Sequence, residues 1–196
     1  MQAEAVYKNV VKSAPVVPLL LNLFRHPPKT SGKWVLTNTR SLCNKVAEFE
    51  LFVNTRNPDI ICAVETWLHN NIPDSLFCQR QYNVVRCNRH SRGGSVALFL
   101  RNELNYTIID ILSEFSNLEI ICVDVEFGSQ SVRLIGYYRR GCYDADAISY
   151  TQTTFTCLQK LCSTDKVVFL LGDFNLPEID WDYYIMVLII LFTTRL

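Results

Sequence analysis

With 196 residues, of which 49% are hydrophobic and 19% charged, the chain has the size and composition of one globular domain. Nineteen basic residues balance nineteen acidic ones, so bulk charge supplies no attraction to nucleic acid and any such contact needs a local patch. Eight cysteines without a C-x-x-C pair argue against a zinc site or a disulfide framework and for a reduced, intracellular protein.

Residues 1–33 carry weak periodicity and a Pro-Pro-Lys-Thr-Ser-Gly stretch, and read as a leader outside the fold. The apolar run 15–24 holds two prolines, and neither it nor Ile185–Phe192 is long enough to span a bilayer. Structure is expected to begin with a strand at Trp34–Thr37, ending in Asn38. A helix follows from about Leu42 to Arg56, with Val46, Phe49 and Phe52 or Val53 on its apolar face, and Asn57-Pro58 stops it. Ile60–Val64 is an unbroken apolar run that ends in the carboxylate of Glu65. A charge there is costly unless solvated, paired or bound to a cation.

Tyr82–Cys87 and Ser95–Leu100 read as strands joined through Arg92-Gly93-Gly94, a hairpin signal. Leu104–Leu112, Leu118–Phe127 and Val132–Tyr138 give three more strands, and their short connections favour antiparallel neighbours. A second helix is expected over Ala145–Cys162, with Ile148, Thr151, Phe155, Leu158 and Leu161 or Cys162 as its buried stripe and Asp144 or Asp146 as its cap. Arg80, Arg86, Arg89, Arg92 and Arg101, or Arg139 with Arg140, form candidate basic patches; a merely solvated face is the plainer account of either.

The most informative stretch is Val167–Leu171 followed by Gly172, Asp173, Phe174 and Asn175. Five consecutive apolar residues read as a strand buried on both faces. Asp173 and Asn175 leave it at the edge of the core, where open α/β sheets place their ligands. A carboxylate beside an amide suits a phosphate or a cation, and an ordinary Asx-turn accounts for the same pair equally well. The element order β-α-β, strand meander, α-β predicts an α/β fold: two mixed sheets packed as a sandwich with helices outside.

Five motifs then occur in order: Thr37-Asn38-x-Arg40-Ser-Leu-x-Asn-Lys, Pro58-Asp-Ile-Ile-x-x-x-Glu65-Thr-Trp-Leu, Arg92-Gly-Gly-x-Val-Ala, Tyr138-Arg-Arg and Gly172-Asp173-Phe-Asn175-x-Pro. Together they resemble the endonuclease/exonuclease/phosphatase family, with the fold of deoxyribonuclease I, and most of all the endonuclease domain of non-LTR retrotransposon polyproteins. The resemblance covers residues 34–184. It implies a metal-dependent phosphodiesterase that nicks DNA in the nucleus for target-primed reverse transcription. Mg²⁺ (or Mn²⁺) would bind Glu65, with Asn38 beside it; Asp173 would orient or deprotonate the attacking water; Asn175 and Tyr138 would hydrogen-bond the scissile phosphate. Arg40, Arg92 and Arg139 would meet phosphate or DNA, and no small-molecule cofactor is implied.

The sequence departs from the pattern in several places. Arg140 stands where proline often follows Tyr-Arg, and Ser95 where a third glycine is common. The family's Ser-Asp-His motif is not among these residues, whose histidines are His26, His69 and His90, so activity is expected to be impaired. Residues 185–196 change abruptly to an apolar tail outside the family pattern, as a frameshift near Tyr184 would produce. A non-catalytic fragment with an unpaired apolar edge, or a phosphatase or lipid phosphodiesterase of the same superfamily, are the competing readings.

Overall fold

A computed structural model of the chain describes residues 32–78, 81–89, 93–141 and 146–176. Residues 1–31 of the expected leader, all of residues 177–196 including the apolar tail, Arg80, Arg92, His90 and Asp144 therefore lie outside the described residues.

The described residues form two four-stranded mixed sheets. In the first, β1 (Trp34–Asn38) runs parallel to β2 (Ile60–Val64), and β2 is antiparallel to β4 (Val96–Arg101), which pairs with β3 (Tyr82–Cys87). In the second, β5 (Tyr106–Ile109), β6 (Glu119–Phe127) and β7 (Gln130–Tyr138) are antiparallel neighbours, and β8 (Val167–Asp173) lies parallel to β7. Each parallel pair requires a crossover. A 3₁₀ turn at Leu42–Lys45 with α1 (Val46–Arg56) supplies the first, and α3 (Ala147–Cys162) the second; α2 is the short Ser75–Cys78.

Strands such as β2 and β4 read as unbroken apolar runs because both their faces are covered. Alternate residues Leu36, Cys62, Val64, Val96, Leu98, Ile121, Val123, Leu134, Phe169 and Leu171 meet between the sheets. Their neighbours face the helices: Ile61, Ala63 and Phe99 pack on Phe49 and Val53 of α1, and Ile120, Cys122, Ile135 and Leu170 pack on α3. The fold is the α/β sandwich that the element order predicted.

Two details differ from expectation. The stripe that α3 buries is Ala147, Tyr150, Thr151, Thr154, Cys157, Leu158, Leu161 and Cys162, whereas Ile148 and Phe155 are only partly buried at its flank. Thr151 and Thr154 can face the sheet because their hydroxyls return to the carbonyls of Ala147 (2.7 Å) and Tyr150 (2.9 Å). Asp146 holds the N-cap position, but no side-chain capping bond is made. Gly172 is required by packing: a β carbon there would run into the Tyr137 carbonyl of the adjoining strand.

Candidate functional site

Asn38, Tyr138 and Asp173 each continue a row of side chains that points between the sheets. Trp34 and Leu36 precede Asn38, Val132 and Leu134 precede Tyr138, and Phe169 and Leu171 precede Asp173. Register aligns Asn38 with Val64, the residue before Glu65, and sets Tyr138 opposite Asp173. The alternation therefore delivers three polar side chains to one end of the intersheet layer. Glu65 arrives differently. Continued extension of β2 would turn it toward α1, but its φ of 50° breaks the strand and brings its carboxylate to Tyr138.

The resulting contacts are few and long. Tyr138 donates its hydroxyl to Glu65 Oε1 at 3.4 Å, and Asn38 Nδ2 donates to Asp173 Oδ2 at 3.5 Å, both at the outer limit of hydrogen bonding. Asp173 Oδ1 accepts the Asn175 N–H at 3.1 Å, closing the Asx-turn, and Asn38 Oδ1 accepts the Arg40 N–H at 3.2 Å. Burial pushes the Asp173 carboxyl above its ordinary range, and the charge of Glu65 adds to this against the two bonds it accepts. Burial, followed by the charges of Glu65 and Asp173, pushes the Tyr138 phenol up to about 12, so it remains a proton donor.

Asn175 and Arg139 form a separate clasp. Asn175, at a φ of 43°, donates its amide to the Arg139 carbonyl at 2.6 Å. The Arg139 guanidinium donates to the Asn175 carbonyl at 3.0 Å and to Thr151 Oγ1 at 2.9 Å. Arg139 is only 1% exposed, so the expectation that it meets phosphate is corrected: it is a buried strut joining β7, α3 and the loop after β8. Arg40 is exposed on the rim beside Asn38, and Arg92 lies outside the described residues. The other described arginines of the two candidate patches each have a partner. Arg86 pairs with Asp74 (3.2 Å), Arg89 with Glu119 (3.6 Å) and Arg101 with Asp59 (3.6 Å), while Arg140 lies over the Tyr150 ring. His69 is exposed in the loop after β2.

One residue near the site escaped the sequence reading. Glu119 opens β6 in register with Tyr138, is 7% exposed, and accepts the Ser95 N–H. The available signal was an acid at the head of the apolar run Ile120–Val123. The thiols of Cys43, Cys62, Cys87, Cys122, Cys157 and Cys162 are free.

A hard divalent cation fits this donor set. The charge of Glu65 adds to the cost of ionising the buried Asp173, and amide and phenol oxygens lie beside the two carboxylates. Among the described residues no group of three or more His, Cys, Asp or Glu is placed to hold a metal ion, so the carboxylates of this site number two.

Mixed sheets packed face to face, with acids and amides collected where parallel strands end, define an α/β sandwich of the nuclease–phosphatase class. Residues 35–191 match the Endonuclease/Exonuclease/phosphatase family, and the protein belongs to that family. A 3′ phosphatase from Neisseria, NExo, solved with a product DNA hairpin, is similar at a TM-score of 0.56 and 18% identity, over 78% of this chain and 61% of that one. The endonuclease domain of TRAS1, a telomere-specific non-LTR retrotransposon, gives 0.51 and 17%, over 72% and 58%. The AP endonuclease LMAP from Leishmania major gives 0.59 and 16%, over 93% and 68%. At these identities the likeness is one of fold, and the chain spans less than two thirds of the length of the first two. No curated protein matches it in sequence.

Proposed function

We propose that this chain is the nicking endonuclease unit of a non-LTR retrotransposon, hydrolysing one phosphodiester of duplex DNA with the help of Mg²⁺ or Mn²⁺. The observation that carries the reading is the convergence of Asn38, Glu65, Tyr138 and Asp173, from two sheets, on one end of the intersheet layer. The motif wording around those residues favours a retrotransposon enzyme over a phosphatase or lipid phosphodiesterase. The bound cation would neutralise charge on the phosphate oxygens. Glu65 would hold it with the Asn38 amide oxygen. Asp173, whose carboxyl favours its proton more than an ordinary aspartate, would accept the proton of the attacking water. Tyr138 would donate to the scissile phosphate, and the Arg139–Asn175 clasp would keep the Asp173 turn in shape. Cleavage would leave a 3′-hydroxyl as primer for reverse transcription on chromosomal DNA in the nucleus.

The test is nicking of supercoiled plasmid with and without Mg²⁺, beside Glu65→Ala. Cation-dependent nicking that the substitution removes supports the reading. A folded 196-residue chain that never nicks overturns it in favour of a non-catalytic relative.

A further inference from the structure

We propose that Glu119 is a positioning residue that locks the Glu65 loop from the opposite sheet, acting through the turn between β3 and β4. Glu119 shares its face with Ile121 and Val123, toward the first sheet. Its Oε2 accepts the backbone N–H of Ser95, and its Oε1 lies 3.6 Å from the Arg89 guanidinium. Gly93, Gly94 and Ser95 have φ values of 91°, 71° and 73°, a left-handed run that Ser95, bearing a side chain, does not adopt by preference. Such a conformation persists only when its surroundings over-determine it. Two ties do so at Ser95: the bond to Glu119, and the Arg89 N–H received by Ser95 Oγ at 2.9 Å. Gly94 is pressed so closely on the Glu119 carboxylate that a β carbon would collide with it.

The turn then reaches the site. The Gly94 carbonyl accepts the Trp67 N–H at 3.2 Å. Trp67 and Glu65 are themselves left-handed, at φ 55° and 50°. On the other flank the Glu65 carbonyl receives the Ser41 N–H at 2.9 Å and the Thr39 hydroxyl at 3.1 Å. Glu65 thus sits on a strained loop clamped from both sides, and Glu119 anchors the clamp that comes through Gly94. A buried carboxylate spent on a backbone amide and an arginine is placed to hold this loop rather than to react.

The functional consequence rests on Glu65 being a cation ligand, so the experiment separates the two claims. Backbone amide exchange at Trp67 and Mn²⁺ affinity by electron paramagnetic resonance are measured on the full chain for the parent, Glu119→Gln, Glu119→Asp and Glu119→Ala. Glu119→Gln keeps an oxygen for the Ser95 N–H and should stay near the parent. Glu119→Ala should speed Trp67 exchange and weaken Mn²⁺ binding by about tenfold or more, with amides in the β6–β7 ladder unchanged. Glu119→Asp keeps the charge but withdraws the carboxylate by one methylene; it should act like Ala and decides the matter if Ala fails to fold. Unchanged exchange at Trp67 in both shortened variants, or Gln as damaging as Ala, overturns the proposal. A parent that takes up no Mn²⁺ would refute the cation reading, while the Trp67 comparison would still decide the clamp.

Discussion

Asp173 and Asp124 are carboxylates of the same sheet, and the protein surrounds them in opposite ways. Asp124, on the α3 face of β6, is gripped by Arg133 through two bonds of 2.7 and 2.9 Å and by Lys166 at 2.7 Å. Arg133 also donates to the Leu161 carbonyl at 2.9 Å, so the cluster fastens the last turn of α3 to the sheet. The bonds from Arg133 hold the Asp124 carboxyl below its usual range in spite of burial. Asp173 has an amide at 3.5 Å and a backbone N–H at 3.1 Å, with Glu65 nearby, and its carboxyl is raised. A fully paired carboxylate has no capacity left for substrate. An under-paired one beside a like charge costs stability and is ready to bind a cation or accept a proton. The difference separates a carboxylate that holds the fold from an under-paired one, where the proposed chemistry is placed.

The sharpest way to break this comparison is to neutralise each acid in turn. Asp173→Asn should lower plasmid nicking at least a thousandfold, about 4 kcal/mol of barrier. Its thermal midpoint should equal or exceed the parent's, because one of two crowded like charges is gone. A variant that loses stability along with activity would show that Asp173 is a structural residue after all. Asp124→Asn should do the reverse. It leaves Arg133 and Lys166 facing one another without their anion and should cost about 2–3 kcal/mol in urea unfolding, less than a fully buried pair because Lys166 is partly exposed. Nicking per folded molecule should be unchanged.

The two regions also differed in how far the sequence disclosed them. Unbroken apolar runs placed β2 and β8, and the residues that end them, Glu65 and Asp173, lie in the site region. Strand parity was read only for Asp173 and Asn175, which it put on one side, whereas the structure turns the Asn175 amide to the Arg139 carbonyl. It could not aim Glu65, because its left-handed backbone is imposed by Ser41, Thr39 and Gly94, which are distant in sequence or carry no pattern of their own. Arg139 read as a DNA contact because it makes a basic pair with Arg140 in the motif Tyr138-Arg-Arg. Its burial depends on Thr151 and the Asn175 carbonyl, partners contributed by two other elements. The Asp124 cluster was silent in the sequence for the same reason. Its cation partners come from β7 and from the residue before β8, and only pairing of the strands brings them together.

Acid should erase the structural half of the comparison. A carboxyl whose folded value is depressed adds stability above its unfolded value and loses that contribution as pH falls through the folded value. The advantage of the parent over Asp124→Asn should therefore be complete above the ordinary aspartate value of about 3.9 and shrink progressively below it. Urea unfolding of both proteins at neutral pH and at acid pH checks this. A gap that persists undiminished in acid would assign the stabilisation to packing of the Arg133 stem instead of charge.

The smallest expected effect tests the other half. Tyr138 belongs to the intersheet core through its ring and to the site through its hydroxyl. Tyr138→Phe keeps the ring in place, so stability should change little. The lost hydroxyl removes one donor whose contact to Glu65 is already long, so nicking should fall about tenfold, roughly 1.4 kcal/mol. With the phenol pushed up to about 12, the proton is present throughout the neutral and mildly alkaline range. The parent-to-variant ratio should therefore be flat from slightly acidic to slightly alkaline buffer. A ratio that changed across that range would mean the hydroxyl ionises during turnover and serves as an acid or base. An unchanged rate would confine Tyr138 to orienting Glu65, leaving Asp173 and Glu65 as the chemical core of the site.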